Sequence, residues 1–290
     1  MKQLRIAIVL FSLVVFAIFG FNFVRDRMTS DYVAPVIRAD YDAIQSSVAV
    51  TDDELMTGMT ASDNLDGDVT SSLVVVSKSK FITRGTRRIN YAAFDNNNNV
   101  GIYERMLSYT DYVSPHFALE QPLRFLDGNS NVDYLKYVSA HDCLDGDITS
   151  QIMVTFGDVR AISDTAKSRT INLQVTNSAG DTSTLELEAL TQDYNTFYQQ
   201  APALSGYLAY TGVGQSLTYS SFVNGVWSGG NVRPFAETNF DQNTDVSINA
   251  DSVNYSVPGI YPVHYQLSRV RNDGSREYLG VNTLYVIVEE

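Results

Sequence analysis

The sequence predicts an all-β protein in which three tandem antiparallel β-sandwich domains follow a single amino-terminal transmembrane helix. Two observations predict the β-domains: a twelve-residue phrase that occurs twice, and short runs of alternating apolar and polar residues along most of the chain. A third observation predicts the helix, because an apolar run long enough to cross a bilayer lies near the amino terminus.

The repeated phrase defines a structural unit of about 80 residues. ASDNLDGDVTSS at residues 61–72 recurs as AHDCLDGDITSQ at residues 140–151, which is 79 residues later. A second pair of phrases, DYVAP at residues 31–35 and DYVSP at residues 111–115, lies 80 residues apart. A unit of this length can bury a core of its own, so we expect each copy to be a separate domain.

A third unit begins near Asp193. The pair Asp193-Tyr194 lies 82 residues after the second Asp-Tyr pair, and Ala201-Pro202 follows it as Val-Ala-Pro or Val-Ser-Pro follows the others. The predicted domains are therefore residues 31–110, 111–192 and 193–290, of which the last is the most divergent.

Residues 6–24 are apolar apart from Ser12, Gly20 and Asn22, and the segment before them is basic. At a rise of about 1.5 Å per residue this run spans a bilayer core. A cleaved signal peptide is the competing interpretation, but its apolar core is usually shorter, and no A-x-A-like cleavage site follows. We expect an uncleaved signal anchor, with residues 1–5 in the cytoplasm and the rest of the chain outside the cell.

Beyond the anchor the pattern is that of short strands. Runs rich in Val, Ile, Tyr and Thr alternate in polarity and are bounded by turn residues. The clearest are Leu73–Ser77, Arg88–Phe94, Thr170–Thr176, Thr182–Leu187 and Leu284–Val288. Residues 96–99 and 177–180 follow matching runs, and their Asn and Gly residues predict hairpin turns in equivalent places.

Composition excludes several classes of protein. A formal net charge of −13 and a pI near 4.6 argue against nucleic acid or anionic lipid as a partner, because both require a basic surface. Cys143 is the single cysteine, so the chain has no intrachain disulfide although we expect it to be exported.

The chain contains the pattern D-x-L-D-G-D-[VI]-T, a later Gly-containing strand and an Asp-x-x-x-Pro linker. In these features it resembles bacterial Ig-like surface repeats. These modules are similar to the Ig-like domain of pesticidal crystal proteins and to hyalin-type repeats. The resemblance covers residues 31 to about 190, and residues 193–290 only near their carboxyl end. It departs from the pattern at residues 167–170, where Lys-Ser-Arg-Thr replaces a Gly-Tyr approach to the strand. The resemblance implies an Ig-like sandwich that serves as an extracellular, non-enzymatic spacer or adhesive unit.

The repeated phrase also supplies candidate metal ligands. Closely spaced carboxylates on a glycine turn suit calcium, which takes several oxygen ligands. The candidates are Asp63, Asp66, Asp68, Asp142, Asp145 and Asp147. The spacing is not that of an EF-hand, and the alternative is purely structural: Gly67 and Gly146 adopt positive φ while the aspartates accept hydrogen bonds from turn amides.

Paired carboxylates also suggest acid/base catalysis, as in glycoside hydrolysis. Their recurrence in two spacer-like units argues against that function. The sequence also contains no P-loop, dinucleotide-binding glycine signature, H-E-x-x-H or G-x-S-x-G. We therefore expect a protein that is not an enzyme.

The third unit is the candidate for ligand contact. Tyr207, Tyr210 and Trp227, with the Ser-Gly-Gly-Asn stretch at 228–231, could stack on a sugar or contact a protein. The alternative is that Trp227 lies in the core of the sandwich. The leading hypothesis is a membrane-anchored bacterial surface protein that serves as a stalk or as an adhesive or assembly module. A carbohydrate-binding protein and an accessory subunit of a surface enzyme remain as alternatives.

Overall fold

A computed structural model describes residues 2–29, 31–128, 132–271 and 273–290, without the side chains of residues 2–5 and 26–29. The chain divides into two compact units, Met1–Tyr112 and Val113–Glu290. Each unit is described by itself below.

The amino-terminal helix, α1, spans Lys2–Thr29 and is longer than the predicted span of residues 6–24. Its segment Ile6–Arg25 is apolar enough to cross a membrane, with a mean hydropathy of 2.6, and none of it is buried against the rest of the protein. The segment contains no proline and one glycine, so nothing interrupts the helix. The prediction that residues 1–5 lie in the cytoplasm concerns residue 1 and the side chains of residues 2–5, which are outside the part of the chain that the structure describes.

The first unit continues as a sandwich of two sheets. Its strands are β1 (Val36–Ala39), β2 (Ala43–Ser46), β3 (Met59–Asp63), β4 (Gly67–Asp68), β5 (Val74–Thr83), β6 (Thr86–Phe94) and β7 (Val100–Tyr109), with a short helix α2 (Asp52–Leu55) and a 3₁₀ turn (Thr70–Ser72). One sheet has the order β1-β3-β4 and the other β2-β7-β6-β5.

The first two strands of this sandwich belong to different sheets. β1 pairs antiparallel with β3, whereas β2 pairs in parallel with the last strand, β7. Between the sheets lies a core of Ile37, Leu55, Met59, Ala61, Val69, Leu73, Ile89, Tyr91, Ala93 and Leu107. The chain therefore contributes one strand to each sheet as it enters the domain, and β2 lies beside the last strand.

β6 shows why the strand pattern was readable from the sequence. Ile89, Tyr91 and Ala93 alternate along it and are all inaccessible to solvent. The Tyr91 hydroxyl donates to the carbonyl of Leu55 at 3.0 Å, which fixes α2 against the core. Burial raises the pKa of Tyr91, so this hydroxyl keeps its proton and remains a donor.

Gly101, near the start of β7, allows the segment before β1 to pass close by. A Cβ atom at this position would lie 2.0 Å from the carbonyl oxygen of Pro35. Because that oxygen belongs to the backbone, the chain would have to shift, and we expect Gly101→Ala to destabilise the first sandwich by about 1–3 kcal/mol. Urea unfolding measures the loss. Ile102→Ala, at the neighbouring 82% exposed position, should change stability by no more than about 0.5 kcal/mol, and equal effects of both changes would contradict the explanation.

The second unit contains two further sandwiches. The first has strands β8 (His116–Leu119), β9 (Arg124–Leu126), β10 (Val138–Asp142), β11 (Gly146–Asp147), β12 (Met153–Ser163), β13 (Ala166–Thr176) and β14 (Thr182–Gln192), and a 3₁₀ turn (Thr149–Gln151). After α3 (Tyr194–Phe197), the second has β15 (Ala201–Leu204), β16 (Leu208–Gly212), β17 (Val223–Ser228), β18 (Asn231–Arg233), β19 (Val246–Asn249), β20 (Gly259–Val270) and β21 (Arg276–Glu289), with α4 (Gln242–Asp245) and 3₁₀ turns Tyr219–Phe222 and Phe235–Glu237.

All three sandwiches share one topology. In the second, β8 pairs with β10 while β9 pairs in parallel with the last strand, β14. In the third, β15 pairs with β17 while β16 pairs in parallel with the last strand, β21. The third unit thus has the same fold without the LDGD phrase, and the predicted class, all-β sandwiches behind one apolar helix, is confirmed.

The second and third sandwiches share one hydrophobic core within their unit. The backbone amide of Tyr207 donates to the carbonyl of Leu119 at 2.8 Å. The amide of Phe117 donates to the Tyr210 hydroxyl, also at 2.8 Å. The predicted boundary at 110/111 lies two residues from the division between the compact units, whereas the predicted boundary at 192/193 lies inside the second unit.

Arg124 joins the two sandwiches of this unit. Its Nε donates to Gln192 at 2.9 Å, its Nη2 to the Thr196 carbonyl at 3.1 Å and its Nη1 to Asn282 at 3.3 Å. The guanidinium also lies 4.5 Å from the ring centre of Trp227. Burial lowers the pKa of Arg124 to about 10. Arg124 therefore connects the second sandwich, α3 and the third sandwich.

Candidate metal centre

The first LDGD turn uses its aspartates in different ways. Asp63 Oδ1 accepts hydrogen bonds from the amides of Leu65 and Asp66, at 2.8 and 3.0 Å. Asp68 Oδ1 accepts from the Thr70 amide at 2.9 Å. Gly67 between them has a φ of 74°, as the structural alternative required. Most of the phrase therefore builds a turn.

Asp66 connects this turn to the turn between β6 and β7. Its Oδ2 accepts from the Asn96 amide at 2.9 Å, and its Oδ1 accepts from Asn96 Nδ2 at 2.6 Å. Both oxygens are therefore used within the sandwich. The predicted hairpin turn at residues 96–99 is confirmed, since it joins the antiparallel strands β6 and β7.

The second LDGD turn repeats these contacts. Asp142 Oδ1 accepts from the amides of Leu144 and Asp145, at 2.9 and 3.0 Å. Asp145 accepts from both the amide and the hydroxyl of Ser178 at 2.6 Å. Asp147 Oδ1 accepts from the Thr149 amide at 2.9 Å. All six predicted ligands thus accept hydrogen bonds that hold the turns of the two copies.

Asp63 differs because it belongs to a carboxylate cluster with Asp31 and Asp95. One carboxylate oxygen from each residue lies within 4.8 Å of the other two. Asp31 precedes β1, Asp63 ends β3 and Asp95 follows β6, so the fold brings together three segments that are far apart in sequence. Within the part of the chain that the structure describes, this is the group with the spacing of a metal site.

The cluster lies below the surface. Asp31 and Asp95 are each 7% exposed, and Asp63 is half-buried. The Oδ1 atoms of Asp31 and Asp63 accept from backbone amides, of Val33 and of Leu65 and Asp66. Their Oδ2 atoms are buried and have no hydrogen-bond partner. Two buried carboxylate oxygens are therefore left unsatisfied in the same place.

Asp95 is held by its own turn. Its Oδ1 accepts from the amides of Asn97 and Asn99, at 2.9 and 2.7 Å, and its Oδ2 accepts from Asn99 Nδ2 at 2.7 Å. Asn99 Nδ2 also donates to the Asp31 carbonyl at 3.0 Å. This turn positions Asp95 and the chain at Asp31 together.

Hydrogen bonds from the backbone keep Asp63 ionised. The amides of Asp66 and Leu65 lower its pKa, and the first of them has the larger effect. The hydroxyl and amide of Thr70 likewise lower the pKa of Asp68, and Thr149 does the same for Asp147. These backbone hydrogen bonds favour the carboxylate forms of the aspartates in the turns.

The equivalent position in the second sandwich carries an amide. Asn177 follows β13 as Asp95 follows β6, and its Nδ2 donates to Asp142 Oδ2 at 3.0 Å. Asp142 is the counterpart of Asp63, so the oxygen that is unsatisfied in the first sandwich has a donor in the second. Asp111, the counterpart of Asp31, accepts from Ser47 Oγ at 2.6 Å and from the Val48 amide at 2.8 Å within the first unit.

The predicted ligand-contact residues lie largely inside the protein, which corrects that hypothesis. Tyr207 and Trp227 are each 1% exposed. Tyr210 is half-buried and stacks on His116 with ring centres 3.8 Å apart. Trp227 also meets Phe197 edge to face at 5.7 Å. These rings stabilise the junction between two sandwiches and are not available to stack on a sugar.

The sequence interpretation missed Asp31 and Asp95. Asp31 was visible as the first residue of the repeated DYVAP phrase, which was used to mark a domain boundary. Asp95 directly precedes the asparagine run, which was interpreted as a turn. The difference between Asp95 and Asn177 at equivalent positions was the signal that the two copies are not chemically alike.

The strand pairing defines the class of the protein: tandem all-β sandwiches behind one apolar helix. No family model matches the chain, and no curated protein matches it significantly.

Among solved structures, the chain is similar to the CBM51-2 and INT domains of Clostridium perfringens ZmpB in complex with GlcNAc. The identity is 16%, over 53% of this chain and 41% of that one, with a TM-score of 0.21. A protocadherin gammaB7 EC3-6 cis-dimer structure shows 11% identity over 88% of this chain and 73% of that one, with a TM-score of 0.20.

A lipoprotein from Bacteroides thetaiotaomicron shows 13% identity over 53% of this chain and 80% of that one, with a TM-score of 0.20. The chain spans less than half of the Clostridium perfringens structure. Likenesses at these TM-scores do not establish a shared fold. The assignment to tandem β-sandwiches therefore rests on the strand pairing of the chain itself.

Proposed function

We propose that the protein is a bacterial surface stalk: a signal anchor at residues 6–24 holds it in the membrane, and the three sandwiches project from the outer face. The observation that carries the proposal is the position of α1. Its membrane-length segment Ile6–Arg25 is followed after ten residues by the first strand of the first sandwich, β1, which begins at Val36. Such an arrangement presents folded domains at the surface of a membrane.

The packing in the second unit supports a stalk. The second and third sandwiches share a core and are joined through Arg124, which reaches both Gln192 and Asn282. A shared core resists bending at the junction better than a flexible linker does. These two sandwiches would therefore act as one stiff element. Its surface would make the adhesive or assembly contact with a protein or a glycan.

We further propose that the protein is not an enzyme. The repeated carboxylates were the sequence's candidates for acid/base chemistry. Asp66, Asp68, Asp145 and Asp147 instead accept hydrogen bonds within turns. That use suits a structural role.

The membrane topology can be tested in bacteria that express the full chain. We expect the intact 32.2 kDa protein to remain in the membrane fraction after a carbonate wash, and protease added outside the cells to digest residues beyond the span. Mass spectrometry of the amino terminus checks that the span is retained. A shorter chain that starts after the span and appears in the medium would contradict the anchor.

A matched pair of variants sharpens this test. Val14→Arg combined with Phe16→Arg places two charges near the middle of the span, at a cost of about 2.5–3.5 kcal/mol each. This variant should be lost from the membrane fraction. Tyr41→Arg adds a charge at a 72% exposed position outside the span and should leave the distribution unchanged.

A further inference from the structure

We propose that Asp31, Asp63 and Asp95 bind one calcium ion in the first sandwich. Three carboxylates lie within 4.8 Å of one another, and like charges at this distance repel. A bound cation converts that repulsion into attraction.

A second observation points to a ligand independently of the clustering. Asp31 is 7% exposed, and its Oδ2 is buried without a hydrogen-bond partner. Asp63 Oδ2 is likewise buried without a hydrogen-bond partner. Buried polar atoms in folded proteins nearly always have partners, so these oxygens are expected to coordinate something that hydrogen bonding does not supply.

The ligand chemistry selects calcium. All three ligands are carboxylate oxygens, which suit hard cations, whereas zinc favours nitrogen and sulfur. Calcium accepts oxygen ligands in a flexible geometry, whereas magnesium demands a near-ideal octahedron and usually keeps several waters. Three carboxylates that the fold already holds in place therefore suit calcium better. The second oxygens of the carboxylates and water would complete its coordination.

The second sandwich has the same fold, but its described residues do not form such a carboxylate cluster. There Asn177 takes the place of Asp95, and its Nδ2 supplies the positive end of a dipole to Asp142 Oδ2 at 3.0 Å. The remaining acid of that turn, Asp181, accepts from Ser114 Oγ at 2.6 Å, at a position where the first sandwich has Ala34. Each copy thus satisfies its central carboxylate differently, and the structure assigns one calcium ion to each chain.

The ion would connect the membrane end of the stalk to its first domain. Asp31 is the second residue after α1 ends at Thr29, while Asp63 and Asp95 lie at the ends of β3 and β6. With calcium bound, the rigid part of the ectodomain would begin at Asp31. Without calcium, the chain at Asp31 would be held by weaker contacts such as the hydrogen bond from Asn99 Nδ2 to its carbonyl.

The experiment uses the full chain in a non-ionic detergent after treatment with a chelator. Titration calorimetry with CaCl₂ should give one site per chain, and saturating calcium should raise the melting temperature. Magnesium should bind at least tenfold more weakly. Asp95→Asn reproduces the residue of the second copy and should weaken calcium binding at least tenfold, as should Asp31→Asn.

Two matched controls separate the cluster from the repeated phrase. Asp68→Asn and Asp147→Asn each remove one negative charge from an LDGD turn while keeping an oxygen for the amide of Thr70 or Thr149. Both should bind calcium as the wild type does. Circular dichroism without calcium should show that Asp95→Asn is folded, because its Oδ1 can still accept from the amides of Asn97 and Asn99.

The outcomes decide the proposal directly. Absence of calcium binding by the wild type, two ions per chain, or an equal loss in Asp68→Asn and Asp95→Asn would each overturn it. Binding belongs to the first sandwich and does not depend on the orientation in the membrane, so this proposal and the topology of the stalk can fail separately.

Discussion

Trp227→Ala is expected to destabilise the third sandwich by about 3–5 kcal/mol, because it removes a large side chain that is 1% exposed. The indole packs against Phe197 and under the guanidinium of Arg124. Its loss leaves a cavity beside a buried charge. Urea unfolding followed by circular dichroism, with hydrogen exchange of residues 193–290, measures the effect.

Two further variants test whether packing is the reason. Trp227 Nε1 is buried without a hydrogen-bond partner, so Trp227→Phe loses volume but no hydrogen bond, and we expect a smaller loss of about 1–2 kcal/mol. Tyr194→Ala removes a 65% exposed ring and should change stability by no more than about 0.5 kcal/mol. A fully stable Trp227→Ala protein would contradict the assignment of this residue to the core.

The second large effect is expected from Arg124→Ala, at about 3–5 kcal/mol, because each buried acceptor left without a donor costs about 1–3 kcal/mol. The change leaves three acceptors without their donor: the buried side-chain oxygens of Gln192 and Asn282 and the half-buried carbonyl of Thr196. Burial disfavours the charged form of Arg124, as its lowered pKa indicates. The loss of stability in Arg124→Ala is therefore smaller than the sum of three charged hydrogen bonds.

Trp227 fluorescence reports this variant directly, because the guanidinium lies over its ring and the chain has one tryptophan. Urea unfolding should occur at a lower midpoint. Arg160→Ala removes an arginine from the same sandwich whose side chain is 80% exposed and 3.7 Å from Glu188, and it should cost no more than about 1 kcal/mol. Equal midpoints for the two variants would show that the junction does not depend on Arg124.

Local pattern was enough to predict much of the fold. The alternation of Ile171, Leu173 and Val175 in β13 reports which face is buried, and the asparagine and glycine turns follow from backbone preferences. The third sandwich was harder to see. Its topology depends on pairing β16 with β21, where Leu208 lies opposite Tyr285, and no short window of sequence contains that contact.

The candidate site was predictable only in part, for the same reason. Asp63 was named because it belongs to a local motif, but Asp31 and Asp95 join it through tertiary structure. Trp227 precedes a Ser-Gly-Gly-Asn stretch that is typical of a surface loop. In the structure that stretch is the tight turn between β17 and β18, and the tryptophan points inward from a strand.

The parallel pairing of β2 with β7, of β9 with β14 and of β16 with β21 has a mechanical consequence. Each pair joins the second and the last strand of a sandwich, through four, three and five residue pairs respectively. Tension along the chain pulls two such strands in opposite directions along their length, so their hydrogen bonds are loaded in shear and must break together. A stalk made of these domains would stay folded under forces that would unzip a hairpin one bond at a time.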